Sequence, residues 1–380
     1  MRLEDGGVVK AVLDLVNMSS SEDEVVLATL DPSGVPESWV NGEIPSITVE
    51  RIAGDTGAGG VLRKDQLRSL EALIDGCDVV HLHAMWNTAN PQIVRICRRL
   101  GKPYVISPHG MIDDWCMTQR RLKKVAYLKT WGRNLLAEAS VVLCTAQAEL
   151  DQASSWFDHG RGASIPLPFD LSEYETLPDP ELAYDSFSEL DRDAPKVLFL
   201  SRINYKKGID RLIKASAILN RNGVHHQLVI AGTGEPEYVD QMKALARAEG
   251  NQEQAYFAGF AKGEPKVALF SLCDVFALPT SQENFGFVFF EALAAGTTVL
   301  TTKGTDTWPE IEQSGGGVIV ENTPEAFADA LETLLRDREN TARMGEAGRE
   351  WVLRALAAEE IRSQYRAMYT NCIKGNGGAV

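Results

Sequence analysis

Residues 275–301 of this chain read VFALPTSQENFGFVFFEALAAGTTVLT, which is an apolar strand, a polar loop, an apolar helix and a second apolar strand. Two acids interrupt the pattern, Glu283 in the loop and Glu291 in the helical run. A helix with Phe and Ala on all sides is a buried helix. A carboxylate inside it loses hydration, so it must find a partner or become neutral.

The position of Glu291 allows two interpretations. We place it in the first helical turn, where the helix dipole favours a negative group. It then either caps its own helix, or it accepts hydrogen bonds from a ligand diol while free amides at the helix start face a phosphate. The rest of the chain has to decide between these two roles.

Length and composition restrict the class of protein. A chain of 380 residues is too long for one core and indicates two domains. The net charge of −15 argues against a general nucleic-acid binder, which needs a basic surface. The six cysteines are scattered, and no apolar run is long enough to span a membrane. These features predict a cytoplasmic protein with reduced thiols.

Apolar strands alternate with helices along nearly the whole chain, which predicts parallel pairing and right-handed crossovers. We therefore predict an α/β protein with two doubly wound, Rossmann-like domains. The predicted boundaries are residues 1–170 for the N-terminal domain and 196–350 for the C-terminal domain. Residues 351–380 are predicted to form a helix that returns to the N-terminal domain. A long basic helix is expected over residues 118–139.

An acidic segment separates the two domains. Residues 170–193 hold nine acids against one arginine, with little periodicity, so residues 171–195 are predicted to be a surface linker or hinge. The triplet Asp191-Arg192-Asp193 resembles a metal-binding DxD motif. Inside an acidic linker we interpret it as solvated surface instead. His81 and His83 share one face of a strand, but no third metal ligand is evident.

Ligands of doubly wound sheets bind at the carboxyl ends of the strands, and four polar segments are predicted to lie there. They are Ser201-Arg202-Ile203-Asn204-Tyr205-Lys206-Lys207-Gly208, Gly232-Thr233-Gly234-Glu235, Ser107-Pro108-His109-Gly110, and the segment from Glu283 to Glu291. The first places cations beside a helix start, which suits a diphosphate. The second is a weak dinucleotide fingerprint because its third glycine is missing.

Taken together in their order along the chain, the four segments resemble the retaining glycosyltransferases of the large "group 1" family, which have the GT-B fold and use nucleotide-activated sugars. The most specific element is the E-x7-E pattern from Glu283 to Glu291, with Arg202 and Lys207 about eighty residues upstream. The stretch from Trp115 to Lys124 resembles members that assemble bacterial exopolysaccharide or lipopolysaccharide. The resemblance implies two domains facing across a cleft, with the acceptor side in the N-terminal domain and the donor side in the C-terminal domain.

The resemblance also implies which residues bind the nucleotide. Glu291 would hold the ribose hydroxyls, and the backbone at Gly259 and Phe260 would face the base. Arg202 and Lys207 would neutralise the diphosphate as the glycosidic bond breaks. Fixed cations and a helix terminus can stabilise this charge without a metal. We therefore expect a metal-independent enzyme with no cofactor besides its donor, a UDP- or GDP-sugar.

Other residues would contact the phosphates and the transferred sugar. Glu283 would touch the sugar, and His109 would lie across the cleft beside it, so these two are the predicted catalytic residues. Further contacts would come from Gly6, Gly7, Asn284, Phe285 and Gly286. The family mechanism implies that the leaving phosphate deprotonates the acceptor hydroxyl. The alternative is that Glu283 is a covalent nucleophile.

The start of the chain departs from the family pattern. Only five residues precede Gly6, too few for the first strand of the N-terminal sheet. In the order 3-2-1-4-5 that strand is central, so its loss would leave unpaired edges within the sheet. We expect the N-terminal domain to lack this strand because the assigned start is late or the chain is shortened. An apolar stretch in frame in the upstream coding DNA would test this.

The basic segment Gln119–Ala137 has no acid and reverses the charge of the chain locally. It is either a solvated face whose apolar stripe packs on the sheet, or a contact for an anionic membrane or a lipid-diphosphate acceptor. The second interpretation predicts a peripheral protein at the inner face of the membrane.

The predicted activity is transfer of a sugar, with retention, to a hydroxyl of a glycan or lipid-linked acceptor in surface polysaccharide synthesis. The alternatives are an epimerase or phosphorylase of the same fold, and a non-catalytic or N-terminally shortened sugar-nucleotide-binding protein.

Overall fold

The computed structural model describes residues 7–375. The first series of elements is α1 (Gly7–Ser19), β1 (Val25–Thr29), α2 (Glu37–Val40), β2 (Ile47–Arg51), α3 (Lys64–Gly76), β3 (Val80–His83), α4 (Ala89–Leu100), β4 (Tyr104–Ser107), α5 (Asp114–Thr118), α6 (Arg121–Lys129), α7 (Arg133–Ala137), β5 (Val141–Cys144), α8 (Gln147–Ala153) and β6 (Gly162–Ser164). Within residues 7–375, no helix is both long enough and apolar enough to cross a bilayer.

The second series starts after residue 169. It consists of α9 (Ser172–Glu175), α10 (Glu181–Ser186), β7 (Lys196–Leu200), α11 (Ile209–Arg221), β8 (Gln227–Ala231), α12 (Pro236–Ala248), β9 (Ala255–Gly259), α13 (Gly263–Leu272), β10 (Val275–Ala277), α14 (Phe287–Ala294), β11 (Thr298–Thr301), α15 (Trp308–Gln313), β12 (Gly317–Ile319), α16 (Pro324–Arg336), α17 (Arg338–Ala355) and α18 (Ala358–Ile373).

These elements form two compact units. The first contains the chain up to Phe169 together with the part from Ala358 onward, and the second is Asp170–Ala357. Helix α18 therefore belongs to the first unit, where it packs against α1. The second unit ends at Ala357 rather than at residue 350, because α17 continues to Ala355 and packs there on α14 and α16.

The second unit is built on one six-stranded parallel sheet in the order β12-β11-β10-β7-β8-β9. Two of its inner strands are almost entirely apolar, VFA in β10 and QLVIA in β8, and every residue of both is buried. Strands that are apolar on both faces belong in a sheet covered by helices on both sides. The prediction of a doubly wound C-terminal domain is confirmed.

The first unit contains parallel strands in two separate sheets, β1-β2 and β3-β4-β5-β6. Helix α1 covers the smaller sheet with Val9, Val12 and Val16, which pack around Leu27 of β1. Within the described residues, β1 pairs with β2 alone and β3 with β4 alone. The Rossmann-like character is confirmed, and the division into two sheets agrees with the prediction of a domain that lacks a strand.

The acidic segment predicted to be a linker is a folded part of the second unit. It contains α9 and α10, and it buries Tyr174, Ala183 and Phe187. Helix α10 packs on α13, and Arg349 donates a hydrogen bond to the carbonyl of Tyr174 at 2.7 Å. Acids dominate the composition of this segment, but its spaced apolar residues determine where it packs.

The predicted long basic helix is three short helices, α5, α6 and α7. Arg120 adopts a left-handed conformation with φ of 53°, which interrupts the helix before α6. At Gly132 a Cβ atom would lie 2.4 Å from the ring of Tyr127, so the chain turns closely around that ring. The Tyr127 hydroxyl is held by the carbonyls of Met85 and Asn87 at 3.1 and 2.8 Å.

Helix α17 approaches the sheet of the second unit through glycine. A Cβ atom on Gly345 would lie 2.0 Å from the carbonyl oxygen of Gly296, which is a backbone atom that cannot rotate away. A Cβ atom on Gly348 of the same helix would lie 2.6 Å from Cδ2 of Leu293 and 3.1 Å from Cα of Gly316. The position of α17, and with it the support for α14, depends on the absence of these side chains.

We therefore expect Gly345→Ala to destabilise the second unit by about 1–3 kcal/mol, because the added methyl group overpacks a rigid contact. Urea unfolding followed by tryptophan fluorescence measures this. The matched control is Glu346→Ala on the exposed side of the same helix, which should change stability by no more than about 0.5 kcal/mol. Equal stability of the two variants would contradict the packing argument.

Candidate functional site

The predicted binding segments of the second unit leave the carboxyl ends of adjacent strands. Strands β11, β10, β7 and β8 are neighbours and all run parallel. The loops after them therefore meet at one edge of the sheet, where ligands bind in doubly wound folds. Lys207 follows β7, and Glu283 follows β10.

Lys207 and Glu283 form an ion pair. The Lys207 side chain is 12% exposed and that of Glu283 is 25% exposed, so both charges are largely withdrawn from water. Burial, together with the charges of Arg202 and Lys206, lowers the pKa of Lys207 to about 8. The Glu283 carboxylate acts against this shift because an opposite charge favours the ammonium form. We therefore treat Lys207 as a charged partner of Glu283 at neutral pH.

The backbone of the loop that contains Glu283 is fixed by the loop that follows β11. The amide of Glu283 donates to the carbonyl of Gly304 at 2.8 Å, and the amide of Asp306 donates to the carbonyl of Glu283 at 3.0 Å. The side-chain amide of Asn284 donates to the Asp306 carboxylate at 3.0 Å. Two neighbouring threonines are fully buried and complete the contact, Thr305 and Thr307. The loop that contains Glu283 is thus held in a defined conformation.

Glu291 does not cap its helix. Gly286 is the N-cap of α14, in a left-handed conformation with φ of 65°, and the helix begins at Phe287. Glu291 therefore lies in the second turn, and the prediction of a first-turn position is wrong. The helix dipole acts mainly within the first turn, so it contributes little here. Instead, Nζ of Lys266 in α13 lies 2.9 Å from Oε1 of Glu291, with side chains 18% and 19% exposed.

The remaining predicted nucleotide ligands of the second unit differ in exposure. Arg202 is exposed, and it makes no ion pair with any residue of the described part of the chain. Gly259 ends the edge strand β9 with φ of 76°, and the side chain of Phe260 after it is 68% exposed. Phe285 is buried, where its ring packs against that of Phe290. The exposed aromatic ring of Phe260 is suited to stacking with a planar group.

The glycines of the Gly232-Thr233-Gly234 turn are explained by packing. A Cβ atom on Gly232 would lie 1.9 Å from the carbonyl oxygen of Ser201, and one on Gly234 would lie 2.1 Å from that of Ile203. The amide of Ile203 also donates to the carbonyl of Thr233 at 2.8 Å. This turn therefore brings the ends of β7 and β8 together, which agrees with the weak dinucleotide signal.

His109 lies in the first unit, next to two other histidines. Its Nε2 atom is 3.0 Å from Nδ1 of His83, and the rings of His83 and His81 are stacked at 4.2 Å. Burial lowers the pKa of His109 to about 4 and that of His81 to about 3. All three rings are therefore neutral at neutral pH. No group of three His, Cys, Asp or Glu side chains among residues 7–375 could hold a metal ion.

The predicted phosphate contact at the start of the chain is only partly described. Gly6 lies outside the described residues, and Gly7 is the first residue of α1. A Cβ atom on Gly7 would meet nothing within 4 Å, so the residue has open space around it.

Two protein families match the chain. Glycosyl transferases group 1 matches residues 183–351, and Glycosyltransferase Family 4 matches residues 5–173. The two matches together extend over most of both units. The chain belongs to the group 1 glycosyltransferase family.

Relatives and solved structures agree with this assignment. An uncharacterized glycosyltransferase of Methanocaldococcus jannaschii is 27% identical over 281 residues, which are 70% of this chain and 67% of that protein. A GDP-mannose-dependent α-(1-6)-phosphatidylinositol monomannoside mannosyltransferase of Mycobacterium tuberculosis is 33% identical over 168 residues. The match spans 42% of this chain and 43% of that mannosyltransferase, less than half of its length.

The fold is similar to that of HepE from Anabaena, solved in complex with UDP. The TM-score is 0.76 at 19% identity, and 96% of each chain is covered. HepE has also been solved with UDP-glucose. The GT-B fold of this glycosyltransferase is thereby shown.

Three residues of the glycosyltransferase were not predicted as part of a site. Lys266 binds Glu291, Asp306 binds Asn284, and the fully buried Glu149 accepts hydrogen bonds from the amides of Gly110 and Thr145 at 2.6 and 2.7 Å. The run TKGTDT after β11 was a usable signal for Asp306, since polar residues follow a buried strand there. Lys266 had no such signal, because one lysine in a helix is ordinarily surface charge.

We predict that Lys266 and Glu291 are energetically coupled. Lys266→Met should destabilise the second unit by about 1–3 kcal/mol, because it leaves a partly buried carboxylate without its partner. The double variant with Glu291→Gln should lose less stability than the two single variants together, by about 1 kcal/mol or more. Urea unfolding of the four proteins measures this difference.

The matched control is the pair Arg336 and Glu332 in α16, four residues apart with Arg336 60% exposed. Its coupling should be at most about 0.5 kcal/mol. Coupling of the Lys266 pair no larger than that of this exposed pair would show that its burial has no energetic effect.

Proposed function

We propose that the protein transfers a sugar, with retention of configuration, from a nucleoside-diphosphate sugar to a hydroxyl of a glycan or lipid-linked acceptor. The ion pair between Lys207 and Glu283 carries this proposal, because it joins the cationic strand end and the acidic loop in one place. The names of the relatives and the UDP complexes of HepE support a nucleotide-sugar donor. The role is proposed in surface polysaccharide or lipid-linked glycan synthesis.

The two lysine–glutamate pairs explain how a donor would be bound. The diphosphate would bind the ammonium group of Lys207 in place of Glu283, and exposed Arg202 would bind it as well. The Glu283 carboxylate could then accept hydrogen bonds from hydroxyls of the sugar. Glu291, oriented by Lys266, would accept hydrogen bonds from the ribose hydroxyls. The exposed ring of Phe260 after β9 would stack on the base.

The chemistry requires stabilisation of negative charge on the leaving diphosphate. Lys207 is partly buried, so its charge is screened less than that of a surface lysine and is worth more at the moment of bond cleavage. Together with Arg202 it supplies two positive charges, and we propose that transfer needs no metal ion and no cofactor. The leaving phosphate would take the proton of the acceptor hydroxyl on the face from which it departs. His109 would contact the transferred sugar.

We also propose that the protein works at the surface of an anionic membrane, through the basic helix α6 and its flanks. Five cations there are exposed and form no ion pair within the described residues: Arg120, Arg121, Lys123, Lys129 and Arg133. Leu122 lies among them with its side chain 87% exposed, and Trp131 is 45% exposed. An apolar tip surrounded by cations fits the interface of a bilayer.

The neighbouring Lys124 differs from these cations. It donates to the carbonyl of Cys116 at 2.6 Å, and its Nζ lies 5.0 Å from the centre of the Trp86 ring. The ammonium group of Lys124 therefore interacts with other groups of the protein rather than with solvent alone. Lys124 is therefore not part of the proposed membrane contact, which consists of the exposed side of α6 and its flanks.

The donor and the chemistry are tested together. UDP-, GDP- and ADP-sugars are screened by thermal shift, and the donor that stabilises the protein is assayed for hydrolysis and transfer with and without EDTA. Lys207→Met should lower kcat/KM by about 10²–10³, the effect of removing one group that stabilises a transition-state oxyanion. Arg221→Met, at the far end of α11, is the control and should keep full activity. NMR of the product should show the anomer of the donor.

An inverted product would contradict retention, and loss of activity with EDTA would contradict metal independence. Donor binding without hydrolysis or transfer would favour a non-catalytic sugar-nucleotide-binding protein. Glu283→Gln that abolishes transfer, with a trapped glycosyl-enzyme in the parent protein, would identify Glu283 as a covalent nucleophile.

The membrane contact is tested by flotation with phosphatidylcholine vesicles, with and without phosphatidylglycerol. Binding should require the anionic lipid and weaken in high salt. Leu122→Asp should abolish binding, and Lys123→Gln should lower it about fivefold, since each cation near an anionic surface contributes about 1 kcal/mol.

The control for flotation is Arg99→Gln. Arg99 is also exposed and lies in the same unit, but it is paired with Glu71 at 2.6 Å, so its replacement should have little effect. Equal loss from Arg99→Gln and Lys123→Gln would contradict a localised surface.

A further inference from the structure

A pair of histidines joins two adjacent strands of the first unit. His83 is the last residue of β3, and His109 lies two residues beyond β4, which pairs with β3. Nδ1 of His83 and Nε2 of His109 are 3.0 Å apart, a normal hydrogen-bond distance. The two rings are nearly parallel, at 22°. This contact determines the orientation of the His109 ring.

The backbone of His109 is held independently of its ring. His109 adopts φ of 53°, a conformation that costs free energy for a residue other than glycine. The next amide, that of Gly110, donates to the buried carboxylate of Glu149 at 2.6 Å, and Glu149 is fixed in turn by the amide and hydroxyl of Thr145. The histidine is therefore anchored at its main chain in an unusual conformation.

His83 is itself supported from behind. Its ring stacks on that of His81 at 4.2 Å. His81 makes hydrogen bonds on both nitrogens, to the Tyr369 hydroxyl at 2.7 Å and to the Ser107 hydroxyl at 2.8 Å. Tyr369 belongs to α18, so three elements hold this row of rings.

The hydrogen bond between His83 and His109 links the protonation of their other two ring nitrogens, Nε2 of His83 and Nδ1 of His109. Burial lowers the pKa of both His83 and His109 well below the usual value, so both rings are neutral at neutral pH. In a hydrogen bond between two neutral imidazoles, one ring donates its N–H and the other accepts with its lone pair. The tautomers of the two rings are therefore linked: His109 carries its proton on Nδ1 if His83 donates, and on Nε2 if His109 donates. Nδ1 of His109 makes no hydrogen bond to any described residue.

We propose that His83 is a positioning residue for His109. Its Nδ1 atom fixes the ring orientation and the tautomer with which His109 presents Nδ1 to a hydroxyl of the transferred sugar. This inference rests on the proposed function, because the sugar contact of His109 is part of that proposal.

The test compares three replacements of His83. Asn carries polar atoms near the position of Nδ1 and should preserve the contact, whereas Gln carries them near Nε2 and Leu carries none. His159→Asn, at an exposed position of the same unit, is the matched control. The proteins are labelled with ¹⁵N-histidine and observed by NMR at neutral pH, and kcat and KM are measured with the donor found in the screen.

In the parent protein His109 should show one tautomer. His83→Asn should retain that spectrum and most of the activity. His83→Gln and His83→Leu should give mixed tautomers of His109 and lower kcat roughly tenfold or more, the scale expected for a misplaced catalytic contact, with binding of the free nucleoside diphosphate unchanged. His159→Asn should match the parent in both measurements.

An unchanged His109 spectrum in His83→Gln and His83→Leu would overturn the inference, as would equal loss of kcat in the Asn and Gln variants. If no donor is turned over by the parent protein, the proposed function fails, while the NMR comparison still decides whether His83 sets the tautomer. If the Leu variant does not fold, the Asn and Gln variants suffice for the comparison.

Discussion

The second unit depends on how two carboxylates are kept charged away from water. Glu283 and Glu291 are both largely buried, and an isolated buried carboxylate would be costly. Each forms an ion pair with one lysine: Glu283 with Lys207, and Glu291 with Lys266. These lysines come from different elements, one after β7 and one in α13, so the ion pairs also determine how the strand-end loops and α14 are arranged.

Each such pair is stable enough to hold the site but is open to exchange. A lysine bound to one carboxylate retains capacity for another anion, because an ammonium group has three donors. A diphosphate offers more negative charge than one carboxylate, so it can compete for Lys207. The arrangement thus resembles a site in which protein anions occupy the positions of ligand groups. This is why the acids and the cations are best considered as pairs rather than as separate binding residues.

The sequence predicted the alternation of strands and helices well, because buried parallel strands have nearly continuous apolar sequences. It also predicted Lys207 and Glu283 as parts of one site, since both follow such strands. It failed where a single backbone conformation decided the outcome. The left-handed conformation of Arg120 interrupts the predicted long helix, and an arginine gives no local signal for such a conformation. Lys266 was missed because its partner is distant in sequence and close only after α13 packs on α14.

The first unit is not contiguous in sequence, and this affects how the protein can be made. During synthesis the residues up to Phe169 leave the ribosome first, and the whole second unit follows before α18 emerges. Until then His81 lacks Tyr369, and α1 lacks the helix that packs against it. Domains generally fold as units during translation. The second unit can therefore fold first, whereas the first unit is completed only after α18 has been synthesised.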